Sequence, residues 1–304
     1  MKQQIKEILL GAYDLHVHPF PDVRPRKGDD FELAERFINA GFKGFAIKSH
    51  FTPTADRAYH VRKRWPNFNA VGGVVLNSAV GGLNPMAVET SARLGGKFVW
   101  FPSVDAKHDL DRLIQNLPAM VDMEIKLGKK GLGPFGISIL DEKGGLVPEV
   151  HHILEIIKEY DMILSTAHLS HEETFKLIAT GREKGLKKML IAHVDWKGTY
   201  YEVEDQKKLA ALGAVLEHCY ATTSIPFEEM CGQIKQVGHE HFIIGSDLGM
   251  KAMPTGKNTG FLVSGDALYP DEGMACFVEI LLNGGFTPEQ IRRMVAHNPE
   301  ALLS

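Results

Sequence analysis

The 304-residue sequence lacks the features that mark several classes of protein. Its three cysteines, Cys219, Cys231 and Cys276, are an odd number without CxxC spacing, so a disulfide framework is not expected and a reducing compartment fits. With no basic run and a net charge of −4, nothing indicates nucleic-acid binding. No apolar stretch reaches the length of a transmembrane helix. We therefore expect a cytoplasmic protein with neither a nucleic-acid nor a membrane partner.

Two local signatures are missing as well. The N-terminal segment MKQQIKEILLGAYD has no apolar core of a signal peptide, and the helical spacing of Ile5, Ile8 and Leu9 predicts a short surface helix instead. No GxGxxG motif follows the first predicted strand. The open doubly wound α/β sheet, which is the main competing fold, therefore lacks its commonest signature.

What the sequence does contain is a regular alternation of short apolar runs and helical patterns. Strands that alternate with helices pair in parallel through right-handed crossovers. Helices are predicted, among others, at 30–40, 84–95, 148–160, 171–185 and 204–212. Eight strands are predicted, at 13–18, 42–50, 69–76, 97–104, 162–168, 188–194, 213–219 and 241–247. Eight such units in about 300 residues predict a single (β/α)8 TIM barrel.

The ends of the predicted helices carry recognisable signals. Ser170 and Glu173 form a predicted capping box at the start of one helix. Glycines stand where helices are expected to stop ahead of a strand, at Gly41, Gly95, Gly185 and Gly213. One irregularity lies between the fourth and fifth strands, where 109–147 predict a long helix followed by a small strand or hairpin. We interpret this stretch as an insertion near the barrel mouth and assign 1–304 to one domain.

Histidines and one aspartate stand at the ends of four predicted strands. Residues at the carboxyl ends of barrel strands line the mouth, and alternate residues point inward. The segment YDLHVHPFPD therefore directs both His16 and His18 inward, and the motif alone is equally typical of a half-buried strand. His168, His193 and Asp247 end the fifth, sixth and eighth strands.

Together these five side chains predict a metal site. Imidazole and carboxylate ligands favour Zn²⁺, with Mn²⁺, Fe²⁺, Co²⁺ and Ni²⁺ as alternatives. Because the set contains no cysteine and lies at an open barrel mouth, a catalytic ion is favoured over a structural one.

These motifs resemble those of the amidohydrolase superfamily of metal-dependent hydrolases. DLHVH, STAH, IAHVD and GSDLG occur in its order, and the tail TPEQIRRMVAHNPEALL resembles its closing helix, so the resemblance covers essentially the whole chain. The chain is most similar to an uncharacterised, amidohydrolase-like branch. The resemblance implies that one or two ions are held by His16, His18, His168, His193 and Asp247. It further implies that Asp247 is the proton shuttle and that His193 binds a second ion or the developing oxyanion.

The sequence also departs from that pattern. Two-metal members carry a bridging Lys or Glu after the fourth strand, where this chain reads WFPSVDA. The second strand instead ends in AIKSH, which places Lys48 and His50 at the mouth. Lys48 is interpreted as a substrate contact, and His50 as either a ligand or a substrate contact. Arg24 and Arg26 follow in a proline-rich loop and are candidates for binding an anionic group of the substrate, with solvated loop arginines as an equally good interpretation.

Other polar residues near the mouth are assigned less sharply. Either Glu217 or His218 points inward from the seventh strand, depending on the strand's register. Asp195 is interpreted as a partner that orients an imidazole.

The predicted activity is hydrolysis of an amide, cyclic amide, lactone or related bond in a small polar substrate, through a metal-activated water. Phosphoester hydrolysis or decarboxylation at the same metal site is an alternative, because a fold does not fix the chemistry. A metal-binding barrel without turnover is a second alternative, although a general base at Asp247 would then have no purpose. The partner is a small-molecule substrate, and association into a homo-oligomer is left open.

Overall fold

The strands of the barrel follow the predicted order. The computed structural model describes residues 2–131, 136–253, 265–266 and 268–304. Every predicted strand is present, although each is shorter than predicted, and the third is split into two pieces. The barrel strands are β1 (Tyr13–Val17), β2 (Gly44–Ile47), β3 (Asn69–Val71), β4 (Gly73–Val75), β5 (Phe98–Trp100), β6 (Ile163–Ser165), β7 (Met189–Ile191), β8 (Val215–Cys219) and β9 (Phe242–Gly245). A separate antiparallel pair joins β10 (Ala252–Met253) to β11 (Gly265–Asp266).

At the break between β3 and β4, Thr54 from the segment after β2 forms the hydrogen bonds that join the two groups of strands. All pairings among β1 to β3 and among β4 to β9 are parallel and between neighbours in sequence. Between the two groups, the Thr54 amide donates to the Gly73 carbonyl and the Gly73 amide to Thr54 Oγ1, both at 2.9 Å. A Cβ on Gly72 would lie 2.2 Å from the Thr54 carbonyl oxygen, so only glycine permits this contact.

The barrel closes where the first strand meets the last. Val17 forms a parallel bridge with Leu248, and the His18 amide donates to the Leu248 carbonyl at 2.9 Å. The Asp247 amide donates to the His16 carbonyl at the same distance. The closing contacts therefore use the backbone of three predicted site residues, and the predicted TIM barrel is confirmed.

Helices alternate with the strands and pack on the outside of the barrel. They are α1 (Gln3–Leu9), α2 (Asp30–Asn39), α3 (Ala55–Arg64), α4 (Pro85–Arg93), α5 (Lys107–Asn116), α6 (Asp122–Gly128), α7 (Pro148–Glu159), α8 (His171–Glu183), α9 (Val203–Ala211), α10 (Phe227–Val237), α11 (Pro270–Asn283), α12 (Pro288–Arg292) and α13 (Asn298–Leu303). Short 3₁₀ turns lie at Ser78–Val80, Pro118–Met120 and His239–His241, and a π-helical turn at Arg293–His297. No helix among the described residues has the length and apolar character that crossing a membrane requires.

The predicted helix signals are confirmed, and the insertion differs from its prediction. The capping box of Ser170 and Glu173 opens α8. The four glycines predicted to stop helices all have positive φ, between 82° and 88°. In the insertion, α5, a 3₁₀ turn and α6 replace the single long helix, because Pro118 cannot continue α5. Bridges pair Ala106 with Ile137 and Leu140 with Leu146, as the predicted small strand requires, and residues 132–135 lie outside the described part.

Two apolar layers hold the barrel together and support the carboxyl ends of its strands. A large cluster between strands and helices includes Val17, Phe45 and Ile244, all essentially inaccessible to solvent. A second cluster, which includes Trp100 and Ile163, involves the opposite side chains of the same strands. The polar residues that follow the strands are therefore anchored on a rigid apolar base.

Candidate metal centre

The structure brings His16, His18 and Asp247 together at the closing point of the barrel. His16 and His18 come from β1 and its end, where the ladder to β2 shifts register between Asp14 and Val17. Nε2 of each imidazole lies 3.1 Å from Oδ1 of Asp247. One ligand atom from each of the three residues lies within 4.8 Å of the others, as a shared ion requires.

His193 extends this group and His168 lies beside it. The His193 ring is 4.9 Å from that of His16, and the His168 ring is 5.4 Å from that of His193. His16 and His193 also form a second group with Glu217 and Cys219, again within 4.8 Å. Among the described residues, His168 belongs to neither group. The five predicted side chains thus share one mouth, and their roles as ligands stay a prediction.

Most of the imidazoles at the mouth are held at Nδ1 by another protein group. This contact fixes the ring and leaves Nε2 for the centre of the mouth. The Nδ1 pairs are His16 with Glu217 (3.0 Å), His50 with Ser103 (2.9 Å), His168 with Asp109 (3.0 Å) and His193 with Thr222 (3.1 Å). The arrangement is the one in which a supporting residue orients a metal-binding histidine.

His18 is the exception. Its Nδ1 is buried and has no hydrogen-bond partner in the described part of the chain. Its ring stacks on that of His50, with 4.9 Å between the centroids and 24° between the planes. The other nitrogen of His18, Nε2, faces the shared site at 3.1 Å from Asp247 Oδ1.

The backbone at three strand ends adopts a conformation that non-glycine residues rarely take. Ala167, His193 and Asp247 have φ of 47°, 57° and 51°. A left-handed conformation costs about 1–2 kcal/mol for most residues, and such strain tends to persist at functional sites. Here it occurs immediately before His168 and at His193 and Asp247, so it turns the chain at the places from which the candidate ligands project.

Lys48 lies at the centre of the cluster. Its side chain is fully buried, and Nζ is 2.9 Å from Nε2 of His16. Nζ also lies 5.9 Å from the ring centroid of Trp100, which is on β5. Burial lowers the pKa of Lys48, and the nearby carboxylates of Asp247 and Glu217 oppose that effect. Lys48 therefore contacts a candidate ligand directly, which the sequence did not indicate.

Burial and mutual repulsion keep the imidazoles neutral. Burial is the main cause that lowers the pKa values of His16, His18, His50 and His193 well below their ordinary value, and it lowers that of His168 as well. Neutral imidazole is the form that binds a metal ion. Burial raises the pKa of Asp247, but the surrounding basic groups, Lys48 among them, outweigh it, and the net pKa is lowered. Burial raises the pKa of Glu217.

A small pocket opens onto these side chains. The space open to a water-sized sphere is about 30 Å³, enough for an ion or one or two waters. Its walls combine cations, imidazoles, one carboxylate and a few apolar groups: Arg24, Arg26, Lys48, His18, His50, His168, His193, Asp247, Thr222, Met120, Trp196 and Met250. Arg24, Lys48 and His50, predicted to contact the substrate, therefore all line this pocket. Thr222, Met120 and Met250 were not predicted.

Two supporting residues come from parts of the chain that gave no signal. Asp109 lies on α5 in the insertion, accepts from Arg112 Nε at 2.6 Å and contacts His168 through its other oxygen. Thr222 follows β8. Asp195, which was predicted to orient an imidazole, lies 3.1 Å from His218 Nδ1, and its role stays a prediction. His218 and Glu217 point to opposite sides of β8, and the residue that faces the mouth is Glu217.

The donor set fits a transition-metal ion. Neutral imidazole nitrogens and a carboxylate converge, and space for an ion is present beside them. This ligand chemistry suits Zn²⁺, Mn²⁺, Fe²⁺, Co²⁺ or Ni²⁺ and does not select among them.

Residues 11–217 match the model of a family of unknown function, DUF6282. The chain belongs to that family. The match includes the four predicted histidine ligands and ends before Asp247. No curated protein sequence matches the chain.

Solved structures with the same fold include three hydrolases or their homologues. An amidohydrolase from Pseudomonas aeruginosa has 12% identity and a TM-score of 0.63, over 99% of this chain and 97% of that one. An organophosphorus hydrolase from Deinococcus radiodurans has 12% identity and a TM-score of 0.58, over 97% and 93%. A TatD homologue from Escherichia coli has 14% identity and a TM-score of 0.53, over 97% and 98%. The predicted amidohydrolase-type barrel is confirmed as a fold.

Proposed function

We propose that this protein is a metal-dependent hydrolase that cleaves an amide, cyclic amide, lactone or related bond in a small polar substrate. The observation that carries the proposal is the convergence of His16 and His18 on one oxygen of Asp247, at 3.1 Å each. The fold shared with an amidohydrolase and an organophosphorus hydrolase supports the reaction class. The small pocket favours a small substrate or one end of a larger one.

His16, His18 and Asp247 would hold one ion, and His193 with His168 would hold a second if two are bound. A bound Zn²⁺ or similar ion lowers the pKa of a coordinated water to near 7 and polarises a substrate carbonyl. The depressed pKa values of the imidazoles keep them in the neutral form that this role requires.

The remaining chemistry belongs to the side chains. Asp247 is ionised and takes the proton of the attacking water at a carboxylate oxygen, then passes it to the leaving group. His193, if it binds no ion, donates a hydrogen bond from Nε2 to the oxyanion that develops on the substrate. Lys48 and His50 line the same pocket and position the substrate.

Phosphoester hydrolysis is the second candidate, because Arg24 and Arg26 add positive charge to the pocket wall. Guanidinium groups match the geometry of phosphate oxygens in a bidentate fashion. The two candidates share the metal site and differ only in the substrate's reacting atom.

Metal analysis followed by a substrate panel tests the proposal. The full chain, purified without chelator, is expected to carry one or two equivalents of a transition metal. It is then assayed on generic esters, lactones, amides and phosphoesters, before and after metal removal. His152→Ala, which changes an exposed histidine on α7, is the matched control for His16→Ala. Well under one equivalent of metal, or turnover that survives metal removal, would contradict the proposal.

A further inference from the structure

Two arginines from one loop are buried against the pocket. Arg24 and Arg26 lie between β1 and α2, and their side chains are only 13% and 2% exposed. Their loop is tied to the segment after β9, because Arg26 forms an antiparallel bridge with Met250 and the Lys27 amide donates to the Gly249 carbonyl. The two guanidinium groups are therefore held in place beside His18 and His50 rather than lying free in solvent.

A nearby arginine shows what a purely structural role looks like. Arg57 donates from Nε and Nη2 to both oxygens of Asp30, at 2.8 and 2.7 Å, and also to the Pro19 carbonyl. Arg57 does not line the pocket. Two parallel hydrogen bonds match both oxygens of its carboxylate partner, although its Nη1 is buried without a partner among the described residues.

Arg26 is matched much less completely. It donates once to a carboxylate, from Nη2 to Asp22 Oδ2 at 3.1 Å. Its buried Nε has no partner in the described part of the chain. Burial lowers the pKa of Arg26, so the protein spends stability to keep a cation at this position. Because Arg26 lines the pocket, a group bound there is placed to complete this donor.

Arg24 also has fewer hydrogen-bond acceptors than its guanidinium donors could use. Nη2 donates to the Met120 carbonyl, and the nearest Glu124 oxygen lies 3.9 Å away, beyond hydrogen-bond distance. Burial lowers the pKa of Arg24 as well. Arginine nevertheless stays protonated in proteins, so both positive charges persist.

The acidic groups near these cations include Asp247, Asp22 and Glu124. Asp247 is the carboxylate among the pocket-lining residues, and His16, His18 and Lys48 surround it. Asp22 accepts from the Arg26 side chain and from the Arg24 backbone amide. Each guanidinium group therefore has a carboxylate within 4 Å, and what stays unmatched is individual N–H donors, such as the Arg26 Nε.

We propose that Arg24 and Arg26 form an anion-binding subsite. It binds a carboxylate or phosphate group that the substrate carries next to the bond that is cleaved. This inference rests on the proposed function and narrows it to substrates that carry such a group within a few atoms of the reacting centre. The Arg26 Nε and the outer donors of Arg24 supply the hydrogen bonds that the anion completes.

Anion binding tests the subsite without requiring a known substrate. The full-length, metal-containing protein is titrated calorimetrically with inorganic phosphate and, separately, with succinate. Arg24→Gln and Arg26→Gln are each expected to weaken binding of the preferred anion by about 10–100-fold, the loss typical of a hydrogen bond to a charged group. Arg24→Lys keeps the charge and is expected to lose less. Arg93→Gln, on an arginine that is 72% exposed on α4, is the control and is expected to bind as the parent does.

The outcomes separate this proposal from the hydrolase proposal. Tight phosphate binding with weak succinate binding assigns a phosphate group, and the reverse assigns a carboxylate. Loss of binding in Arg24→Gln with unchanged metal content supports the subsite even if no substrate in the hydrolase panel is turned over. Unchanged binding in both glutamine variants, or no binding of either anion by the parent protein, overturns it. If Arg26→Gln fails to fold because Asp22 loses its partner, Arg24→Gln and Arg24→Lys decide the question.

Discussion

The two sides of the candidate metal centre are built differently. The first-strand side consists of His16, His18 and Asp247, which contact one another directly and close the barrel through their backbones. The insertion side consists of His168 and His193, whose rings are held from behind by Asp109 and Thr222. One side is organised by strand pairing, and the other by residues outside the barrel strands.

This difference indicates how the work of the site is divided. On the first-strand side, side-chain positions follow from the geometry of β1 and β9, so they are as rigid as the barrel. On the insertion side, a hydrogen bond from outside the strands fixes each ring. The first side is therefore expected to set whether an ion binds at all, and the second to tune its affinity and the reaction.

Removal of a ligand from each side gives the largest expected effects. His16→Ala is expected to lose metal and activity by more than the roughly 10–100-fold that removal of a supporting residue costs, because His16 belongs to both candidate ligand groups. His168 belongs to neither group, so His168→Ala is expected to lower the metal content by a smaller factor. Elemental analysis and activity measure both, and circular dichroism is expected to show an intact fold because the apolar layers remain.

Equal losses in the two variants would break the comparison and place His168 among the primary ligands. Global unfolding of both would show that the ion is structural. His152→Ala again serves as the control, since its side chain is exposed on α7.

Asp247→Asn is expected to separate binding from turnover on the first-strand side. Asparagine keeps one oxygen as a ligand, so the metal content should largely remain. The asparagine side chain cannot accept the proton of the attacking water. Activity on any substrate that the panel identifies is expected to fall by about 10²–10⁴-fold, the usual contribution of a general acid–base group. Wild-type turnover with metal intact would move the general base to His193, the other predicted catalytic residue.

Much of the first-strand side could be predicted from the sequence, because its geometry follows from strand periodicity. The alternation of His16 and His18 about Val17 determines which residues share a face. Asp247 follows a strand of four buried residues, β9, and so falls at the same mouth. The strand count, and with it the barrel, followed from the same alternation.

The insertion side could not be predicted in the same way. Asp109 is far from His168 in sequence and sits on a helix whose docking depends on tertiary contacts, such as the stacking of Arg112 on Trp196. Thr222 lies in a turn after β8, where periodicity no longer assigns a direction. For the same reason the sequence did not say which imidazole Asp195 lies against; in the structure it is that of His218.

Asp109→Asn measures how much the insertion side contributes. The Asp109 carboxylate accepts only, so it fixes His168 with the proton on Nδ1 and the lone pair on Nε2. The asparagine amide offers both a donor and an acceptor, and that selection is lost. We expect metal affinity or activity to fall by about 10–100-fold, as for other partners of metal-binding histidines. Asp111→Asn, at an exposed position on the same helix, is expected to have no effect.

A competition titration with a chelator measures the metal affinity of Asp109→Asn and of its control, Asp111→Asn. An effect of Asp109→Asn as large as that of His16→Ala would contradict the proposed division between the two sides. No effect at all would show that Arg112 and Trp196 hold His168 in place without the carboxylate.

Thr222→Val gives the smallest expected effect and tests whether the two supports on the insertion side are equivalent. Thr222 Oγ1 lies 3.1 Å from His193 Nδ1, and valine keeps the shape of the side chain while removing this contact. A neutral hydrogen bond contributes about 0.5–1.5 kcal/mol, so we expect a loss of about 2–10-fold in metal affinity or activity. This loss is smaller than that of Asp109→Asn, because no charge is involved. The same chelator titration and panel substrate measure it, and a loss greater than that of Asp109→Asn would make His193 rather than His168 the principal imidazole of the insertion side.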